Sequence, residues 1–297
     1  MTVALLVHHA ANRGHNYPPS SLQGLRACLE AGACVVEVDI IPLTGGDFAL
    51  LHDERLEDGT NGAGNVSALT ARQICHLRHT WQGAVTDEPV GLLSQAVSLL
   101  RDYPHVQELQ LDLKPDAPLA DADAVLYDLL RLVEPVKGQV RVTSDADWTI
   151  RRLRALDNEL ALGFDPLFYL AVDTEDHDPL PFRVGAYGYR DDHPLSMRVW
   201  GTPADYLAAR AEALLAQAPA EVVWYIHALL LERALDQGFD WIAYLHAHSI
   251  QVDGWTLDAD QAGHVELARR LVAAGIDRIT TNDAPRLAPL LDGAVVF

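Results

Sequence analysis

Short apolar runs alternate with amphipathic stretches along most of this chain. The runs are rich in Val, Ile and Leu, which is typical of strands buried on both faces. The stretches between them carry apolar residues at helical spacing, as Leu22, Leu25 and Leu29 do. A turn over 43–47 precedes a short return strand, 48–51. Apart from that return strand, the pattern predicts eight strands: 2–8, 35–40, 106–114, 140–144, 160–164, 222–226, 250–256 and 276–281.

Eight strands alternating with helices, with polar residues at the ends of the strands, predict an α/β fold of the (β/α)8 TIM barrel type. We expect one domain over residues 1–297, with a small polar, glycine-rich insertion after the second strand at 53–68. Residues 165–204 are irregular and proline-containing, and we predict a loop or cap there. An open doubly wound sheet is the alternative, but no glycine-rich fingerprint follows the first strand.

Composition narrows the classes of partner. The chain has 297 residues, 49% of them hydrophobic, and a formal net charge of −20. Nucleic acid and anionic membrane surfaces are therefore poor partners, and we expect a small-molecule substrate. The N-terminal apolar run, 2–7, has no basic flank and is too short to insert into a membrane. Three cysteines without metal-ligand spacing favour a cytoplasmic location, and the oligomeric state stays open.

Two acids interrupt the second predicted strand, Val35-Val36-Glu37-Val38-Asp39-Ile40. Alternate side chains of a strand share a face, so Glu37 and Asp39 point the same way. Two buried carboxylates repel each other, and a divalent cation between them removes the repulsion. Mg²⁺ and Ca²⁺ take oxygen ligands of this kind. A strand end that emerges into solvent, with both acids hydrated, is the alternative.

More polar side chains stand at the ends of other predicted strands. In a barrel these ends meet at one mouth. Carboxylates with open positions suit a cation that polarises a phosphodiester, and flanking histidines suit proton transfer near neutral pH. A simple ion pair within the strand is the alternative for Asp112 and Lys114. The candidate set is His9, Glu37, Asp39, His52, Asp112 and Lys114.

The order of several motifs resembles the glycerophosphodiester phosphodiesterase family. The resemblance runs over about residues 3–290, and 165–220 matches poorly. The ordered set of motifs, rather than any single one, carries the resemblance. The motifs are Glu37-Val38-Asp39, Leu50-Leu51-His52-Asp53, Asn61-Gly62 with Gly64, Leu111-Asp112-Leu113-Lys114, Trp255-Thr256-Leu257-Asp258 and Gly275 to Asn282.

The resemblance implies a TIM barrel that hydrolyses glycerophosphodiesters to glycerol phosphate and an alcohol, with one Mg²⁺ or Ca²⁺. It assigns cation binding to three acids, general acid/base catalysis to two histidines, and phosphate binding or organisation of the cation to a lysine. The three acids are Glu37, Asp39 and Asp112, the two histidines are His9 and His52, and the lysine is Lys114.

Several positions depart from the family pattern. The first strand of the family usually ends His-Arg-Gly, whereas this one ends His8-His9-Ala10-Ala11, so His8 is a rival to His9. Arg13 is our candidate to replace the missing phosphate-binding arginine from the following loop. The third acid of the family is usually Glu and is Asp112 here. Trp255 is a candidate wall of the substrate pocket, with a place in the barrel core as the alternative.

Three other functions stay open at this point. Sphingomyelinase D-like phospholipases use a similar two-histidine barrel and release a cyclic phosphate. A non-catalytic barrel that binds phosphorylated ligands is supported by the missing His-Arg-Gly. A lyase or isomerase acting on a phosphorylated sugar would need a glycine-rich phosphate loop near the last two strands, where Gly254 and Gly275 are weak candidates.

Overall fold

A computed structural model describes residues 3–114, 122–170, 202–291 and 295–296. Within these ranges it contains twelve strands and eleven α-helices. The strands are β1 (Ala4–His8), β2 (Val35–Pro42), β3 (Phe48–Ala49), β4 (Arg78–Trp81), β5 (Ala84–Pro89), β6 (Glu108–Leu113), β7 (Val140–Ser144), β8 (Ala161–Phe164), β9 (Val222–His227), β10 (Val252–Trp255), β11 (Arg278–Thr281) and β12 (Val295–Val296). The helices are α1 (Leu22–Glu30), α2 (Leu56–Gly59), α3 (Ala71–Ile74), α4 (Leu93–Leu100), α5 (Ala122–Val133), α6 (Asp147–Leu156), α7 (Pro203–Gln217), α8 (Ala228–Asp236), α9 (Trp241–His246), α10 (His264–Ala274) and α11 (Ala284–Leu287).

Eight parallel strands close into a barrel. The neighbours run in the order β1, β11, β10, β9, β8, β7, β6 and β2, and the ring closes where His8 of β1 pairs with Val36 of β2. The predicted (β/α)8 fold is therefore confirmed. The predicted return strand is β3, which pairs antiparallel with the end of β2.

Apolar side chains fill the space between the barrel and its helices, because parallel strands and amphipathic helices both carry apolar faces that are buried away from water. Leu25 and Leu29 of α1, for example, are buried in this core. Helix α1 begins at Leu22 because the Ser21 hydroxyl accepts a hydrogen bond from the Gly24 amide.

The interior of the barrel also contains an ion network. The carboxylate of Glu108 on β6 accepts hydrogen bonds from the guanidinium groups of Arg141 on β7 and Arg278 on β11, at 2.9 and 2.6 Å. Glu108 and Arg278 are each only 8% exposed. Such charges are stable inside a protein only when they are paired and hydrogen-bonded.

The insertion after β3 is longer than the predicted 53–68. It contains α2, α3 and the β4–β5 hairpin, and it has a small apolar core of its own that includes Leu56, Val66 and Ile74. The sequence pattern does not predict the hairpin, because β5 is largely exposed and has no apolar face. Helix α3 is a single turn, which Thr70 and Gln73 cap.

The predicted irregular segment 165–204 is described only at its two ends. Residues 171–201 lie outside the described residues, so the loop or cap stays a prediction. In the ranges that the structure describes, no helix combines the length and apolarity needed to cross a bilayer.

Candidate active site

Three carboxylates meet where β2 and β6 run side by side. The register of these strands sets Asp39 opposite Asp112, with Glu37 one alternation earlier on β2. One oxygen from each of the three carboxylates lies within 4.8 Å of the others. Glu37 and Asp39 are only 3% and 2% exposed, which excludes the hydrated strand end considered from the sequence.

Glu37 is held by backbone rather than by a cationic side chain. Its Oε2 accepts a 2.6 Å hydrogen bond from the amide of Ala10, which has a φ of 47°. Its Oε1 is buried, and no hydrogen-bond partner for it exists among the described residues. Burial, and then the charges of Asp39 and Asp112, raise the pKa of the Glu37 carboxyl well above its usual range.

Asp39 is held by Ser20, from the loop before α1. The Ser20 hydroxyl donates to Oδ2 of Asp39 and accepts from the Asp39 amide, both at 2.9 Å. Burial raises the pKa of this carboxyl, but Lys114 and the two nearby histidines outweigh burial and lower the pKa to about 2. Asp39 is therefore ionised throughout the physiological range.

Lys114 joins the two strands at the mouth of the barrel. Its Nζ lies 2.5 Å from Oδ2 of Asp112 and 3.2 Å from Oδ1 of Asp39. Burial opposes the charge of the ammonium group, but Asp112 and Asp39 outweigh burial and hold the pKa of Lys114 well above its usual value. The other oxygen of Asp112 accepts a 2.9 Å hydrogen bond from the Thr143 hydroxyl. The ion pair predicted as an alternative is thus present, and it includes Asp39 as well.

His9 faces the carboxylates. Its Nδ1 lies 2.9 Å from Oδ1 of Asn282, and its Nε2 lies 4.0 Å from Oε2 of Glu37. Asn282 donates its Nδ2 to Oδ2 of Asp258, so its Oδ1 is the acceptor. Nδ1 of His9 must then carry the hydrogen, which leaves the Nε2 lone pair of the neutral ring facing Glu37.

His8, the rival of His9, does not line the cavity at the mouth of the barrel. It is 2% exposed, and burial together with the charge of Arg13 lowers its pKa to about 4. Of the two residues, His9 is therefore the one that the fold brings to the carboxylates.

His52 also lines the cavity at the mouth of the barrel, three residues after the end of the short strand β3. Its Nδ1 lies 2.8 Å from Oδ1 of Asp53. This hydrogen bond raises the pKa of His52; Lys114 opposes the shift and Asp39 adds to it. Since a carboxylate accepts only, Nδ1 carries the hydrogen and Nε2 is the second, free position of the ring.

The carboxyl ends of the strands enclose a cavity of about 270 Å³. Lys114 is the one lysine or arginine among the described residues that line it, and Asp145 and Asp165, at the ends of β7 and β8, add two acids that we did not predict. Trp255 also lines the cavity, with its ring edge-to-face against His227 at 4.7 Å between centroids. The predicted residues in this lining are His9, Glu37, His52, Asp112, Lys114 and Trp255.

Arg13 is not brought to this cavity. Its Nη1 donates a 3.2 Å hydrogen bond to the carbonyl of Ala27 in α1, which directs the side chain toward the helix. The structure therefore does not bring Arg13 to the cavity as the substitute for the family arginine that we expected from the sequence.

The carboxylate group suits a hard divalent cation. Its donors are all oxygens and come from three side chains, and Oε1 of Glu37 is buried without a hydrogen-bond partner among the described residues. Mg²⁺ and Ca²⁺ prefer such donors. The single positive charge of Lys114 offsets only part of three carboxylates, so the residues present fit a divalent cation.

Fold and site together define a (β/α)8 barrel protein with a centre of carboxylates and histidines at its mouth. The chain also matches the sequence profile of the glycerophosphoryl diester phosphodiesterase family over residues 12–285. It belongs to that family.

Similar proteins carry the same family name. Glycerophosphodiester phosphodiesterase 1 of Mus musculus is 32% identical over 119 residues, which are 38% of this chain and 35% of the mouse protein. A probable glycerophosphodiester phosphodiesterase 1 of Mycobacterium tuberculosis is 26% identical over 183 residues, 55% of this chain and 65% of that protein. The chain thus matches about a third of the mouse relative and somewhat under two thirds of the mycobacterial one.

Solved structures share the fold over nearly the whole chain. A glycerophosphoryl diester phosphodiesterase structure from Silicibacter pomeroyi has a TM-score of 0.74 at 19% identity, covering 99% of this chain and 95% of that one. An Oleispira antarctica phosphodiesterase, solved in complex with the product sn-glycerol-3-phosphate, has a TM-score of 0.67 at 17% identity, covering 98% and 97%.

Proposed function

We propose that this chain is a phosphodiesterase that depends on a divalent cation and hydrolyses glycerophosphodiesters to glycerol phosphate and an alcohol. The observation that carries the proposal is the convergence of Glu37, Asp39 and Asp112 within 4.8 Å, with two histidines on the same cavity. Family membership and the glycerol phosphate complex of the Oleispira relative support it. We keep the cytoplasm as the expected location, which the three free cysteines support.

We assign the cation to Glu37, Asp39 and Asp112. When bound there, Mg²⁺ or Ca²⁺ supplies charge stabilisation for the phosphoryl oxygens. Ser20 and Thr143 keep the Asp39 and Asp112 carboxylates oriented, and the Ala10 amide does the same for Glu37. Lys114, which is permanently charged at neutral pH, contacts the phosphate or organises the carboxylates. Trp255 forms part of the wall of the substrate cavity.

The two histidines divide the proton transfers. The hydrogen bond from Nδ1 of His9 to Asn282 leaves its Nε2 lone pair free, so we assign His9 as the general base for the attacking water. Asp53 raises the pKa of His52, which favours its protonated form, so we assign His52 as the general acid for the leaving alcohol.

The test is hydrolysis of a panel of glycerophosphodiesters and one aryl phosphodiester, before and after chelation and re-addition of Mg²⁺ or Ca²⁺. We expect metal-dependent release of glycerol phosphate and loss of turnover by about 100-fold or more in His52→Ala. His105→Ala is the matched control, since His105 is exposed and lies ahead of β6, at the other end of the barrel. A cyclic product, or metal binding without turnover, would contradict hydrolysis and favour one of the alternatives.

A further inference from the structure

Asn12 lies in the loop that joins β1 to α1, three residues after His9. Its side chain is buried, with 2% of the residue exposed, and it is not among the described residues that line the cavity at the barrel mouth. A buried carboxamide is stable only when its polar atoms are hydrogen-bonded. The partners of this side chain therefore indicate what it does.

Asn12 and His9 share one hydrogen-bond acceptor. The Nδ2 group of Asn12 donates a 2.6 Å hydrogen bond to Oδ1 of Asn282. The same oxygen accepts a hydrogen bond from Nδ1 of His9 at 2.9 Å. A carboxamide oxygen has two lone pairs, so these two donors together occupy both of them.

Groups of fixed polarity stand at both ends of this set of hydrogen bonds. At one end, the backbone N–H of His15 donates to Oδ1 of Asn12 at 3.3 Å, so Nδ2 of Asn12 is the group that faces Asn282. At the other end, Oδ2 of Asp258 accepts from Nδ2 of Asn282 at 2.7 Å. A backbone N–H only donates and a carboxylate only accepts, so each hydrogen bond between these ends has one direction.

The direction matters because a carboxamide can turn by half a rotation and exchange its oxygen with its nitrogen. In a turned Asn282, Nδ2 would face His9, and Nδ1 of His9 would have to accept. The hydrogen of the neutral ring would then lie on Nε2, which would leave no lone pair there to take a proton. The turned amide would also set donor against donor at Asn12 and acceptor against acceptor at Asp258. These two residues therefore oppose the turned state from opposite sides.

The loop that carries Asn12 is held in an unusual backbone conformation. Four non-glycine residues around Asn12 have φ between 47° and 61°, a region that costs energy for residues with a side chain: Ala10, Ala11, Arg13 and His15. Such conformations persist where surrounding contacts hold them. The Gly14 amide donates to the Asn282 carbonyl at 2.6 Å, and the Trp81 indole of the β4–β5 hairpin stacks on His15 with centroids 6.2 Å apart. The placement of Asn12 is therefore a built feature of the fold.

We propose that Asn12 is a positioning residue for His9. Its donor holds the Asn282 amide with the oxygen toward His9, which keeps the hydrogen of the neutral ring on Nδ1 and the lone pair on Nε2. This inference rests on the proposed function, in which that lone pair takes a proton from the attacking water. Asn12 acts through Asn282 rather than on the substrate.

The tautomer of His9 is the direct readout. With isotope-labelled histidine in the full chain and Mg²⁺ present, NMR correlations between ring nitrogens and ring hydrogens show which nitrogen carries the hydrogen. The spectra are recorded above about pH 8, where an ordinary histidine side chain is neutral. Loss of signals in His9→Gln identifies the ring. We expect the Nδ1–H form in the wild type, and we expect the Nε2–H form, which imidazole prefers in water, to appear in Asn12→Leu.

A second variant removes the opposite anchor. In Asp258→Asn the new amide can donate to the oxygen of a turned Asn282, so the turned state becomes accessible without any change at Asn12. Asp258 is half-buried and the substitution keeps its size, so this variant tests the proposal even if Asn12→Leu does not fold. In the double variant both anchors are lost, and the Nε2–H form should predominate, as it should in Asn282→Leu.

The kinetic effects should follow the tautomer. Each single variant is expected to lower kcat by about three- to tenfold, because one hydrogen bond that opposes the turned amide is lost. The double variant should lose about tenfold or more, because the amide is then free to turn. KM should stay within about twofold of the wild type, since Asn12 and Asp258 lie outside the described lining of the substrate cavity.

Asn16→Leu is the matched control, with the same substitution in the same loop. The exposed Asn16 amide donates to the Arg13 carbonyl at 2.8 Å, so the loop loses a hydrogen bond while Asn282 keeps both of its donors. Asp87→Asn, at an exposed position of β5, is the control outside the loop. Both should keep the Nδ1–H form and the wild-type kcat. A loss of kcat in Asn12→Leu with an unchanged tautomer would overturn the proposal, as would the Nε2–H form in the wild type.

The tautomer also separates this inference from the proposed function, because it is measured without turnover. If the wild type hydrolyses no diester but the His9 tautomer changes in Asn12→Leu and Asp258→Asn, the proposed function fails and the positioning of the ring stands. If the diesters are hydrolysed and both variants keep the wild-type tautomer and kcat, the proposed function stands and the inference fails.

Discussion

The Nδ1 atom of His9 lies 2.9 Å from Oδ1 of Asn282, and the two residues are 273 positions apart in the chain. Closure of the barrel brings them together, since β1 and β11 are adjacent strands. Asn282 is itself anchored to Asp258, both by its amide group and by its backbone N–H. Two loops from the end of the chain thus orient a ring at its beginning.

Asn282→Leu should therefore slow turnover without weakening substrate binding. Without the acceptor, the His9 ring is free to rotate and its Nε2 is no longer directed at the cavity. We expect kcat to fall by about tenfold or more with little change in KM. Steady-state kinetics and thermal unfolding measure the two effects, and Asn65→Leu, at an exposed position in the insertion, is the control. A rise in KM at constant kcat would instead assign Asn282 to substrate binding.

The hydrogen bond between His52 and Asp53 predicts a shift in the pH profile. Asp53 stabilises protonated His52 and raises its pKa, so Asp53→Asn must lower that pKa. A general acid loses activity as the pH rises through its pKa. The alkaline limb of the kcat profile should therefore move to lower pH in Asp53→Asn and stay in place in Asp87→Asn. An unchanged alkaline limb would remove His52 from the role of general acid.

The sequence predicts the barrel because parallel strands buried on both faces appear as continuous apolar runs, and eight such runs alternate with amphipathic helices along the chain. It also brings Glu37 and Asp39 to one face, because the side chains of a strand alternate. Their approach to Asp112 follows from the register of β2 and β6, which only the closed sheet defines. The acids of the candidate site were thus foreseeable from local pattern and from the convergence of strand ends.

Other parts of the site depend on contacts between distant segments. Ser20 has the sequence features of a helix cap, yet its hydroxyl binds Asp39, while Ser21 caps α1. Asp145 and Asp165 reach the cavity only because β7 and β8 end beside it. Arg13 was expected in the cavity but donates to the Ala27 carbonyl, a contact that no residue pattern encodes.

Lys114 should influence cation affinity and turnover in opposite directions. Its ammonium lies between Asp39 and Asp112 and offsets their charge, so Lys114→Met leaves three carboxylates without a protein cation. We expect tighter Mg²⁺ or Ca²⁺ binding by calorimetry, together with slower turnover because the phosphate loses a positive contact. Glu37→Gln should weaken cation binding by about tenfold or more and also slow turnover.

Lys137→Met provides the control for this comparison, because Lys137 pairs with Asp157 and Glu159 away from the described cavity lining. It should leave cation affinity and turnover at wild-type values. Weaker cation binding in Lys114→Met would mean that the lysine organises the carboxylates rather than competing for them.

The ion network inside the barrel should contribute strongly to the free energy of unfolding. Removing the Glu108 carboxylate leaves the guanidinium groups of Arg141 and Arg278 without their shared partner in a region that is almost inaccessible to water. Loss of one partner of a buried ion pair costs about 3–5 kcal/mol of unfolding free energy. Denaturant unfolding of Glu108→Gln should show a loss of this order.

Asp123→Asn, which breaks the exposed pair with Arg152, should leave the midpoint nearly unchanged, because solvent screens that pair. Equal effects of the two variants would show that burial does not set the value of these pairs in this barrel.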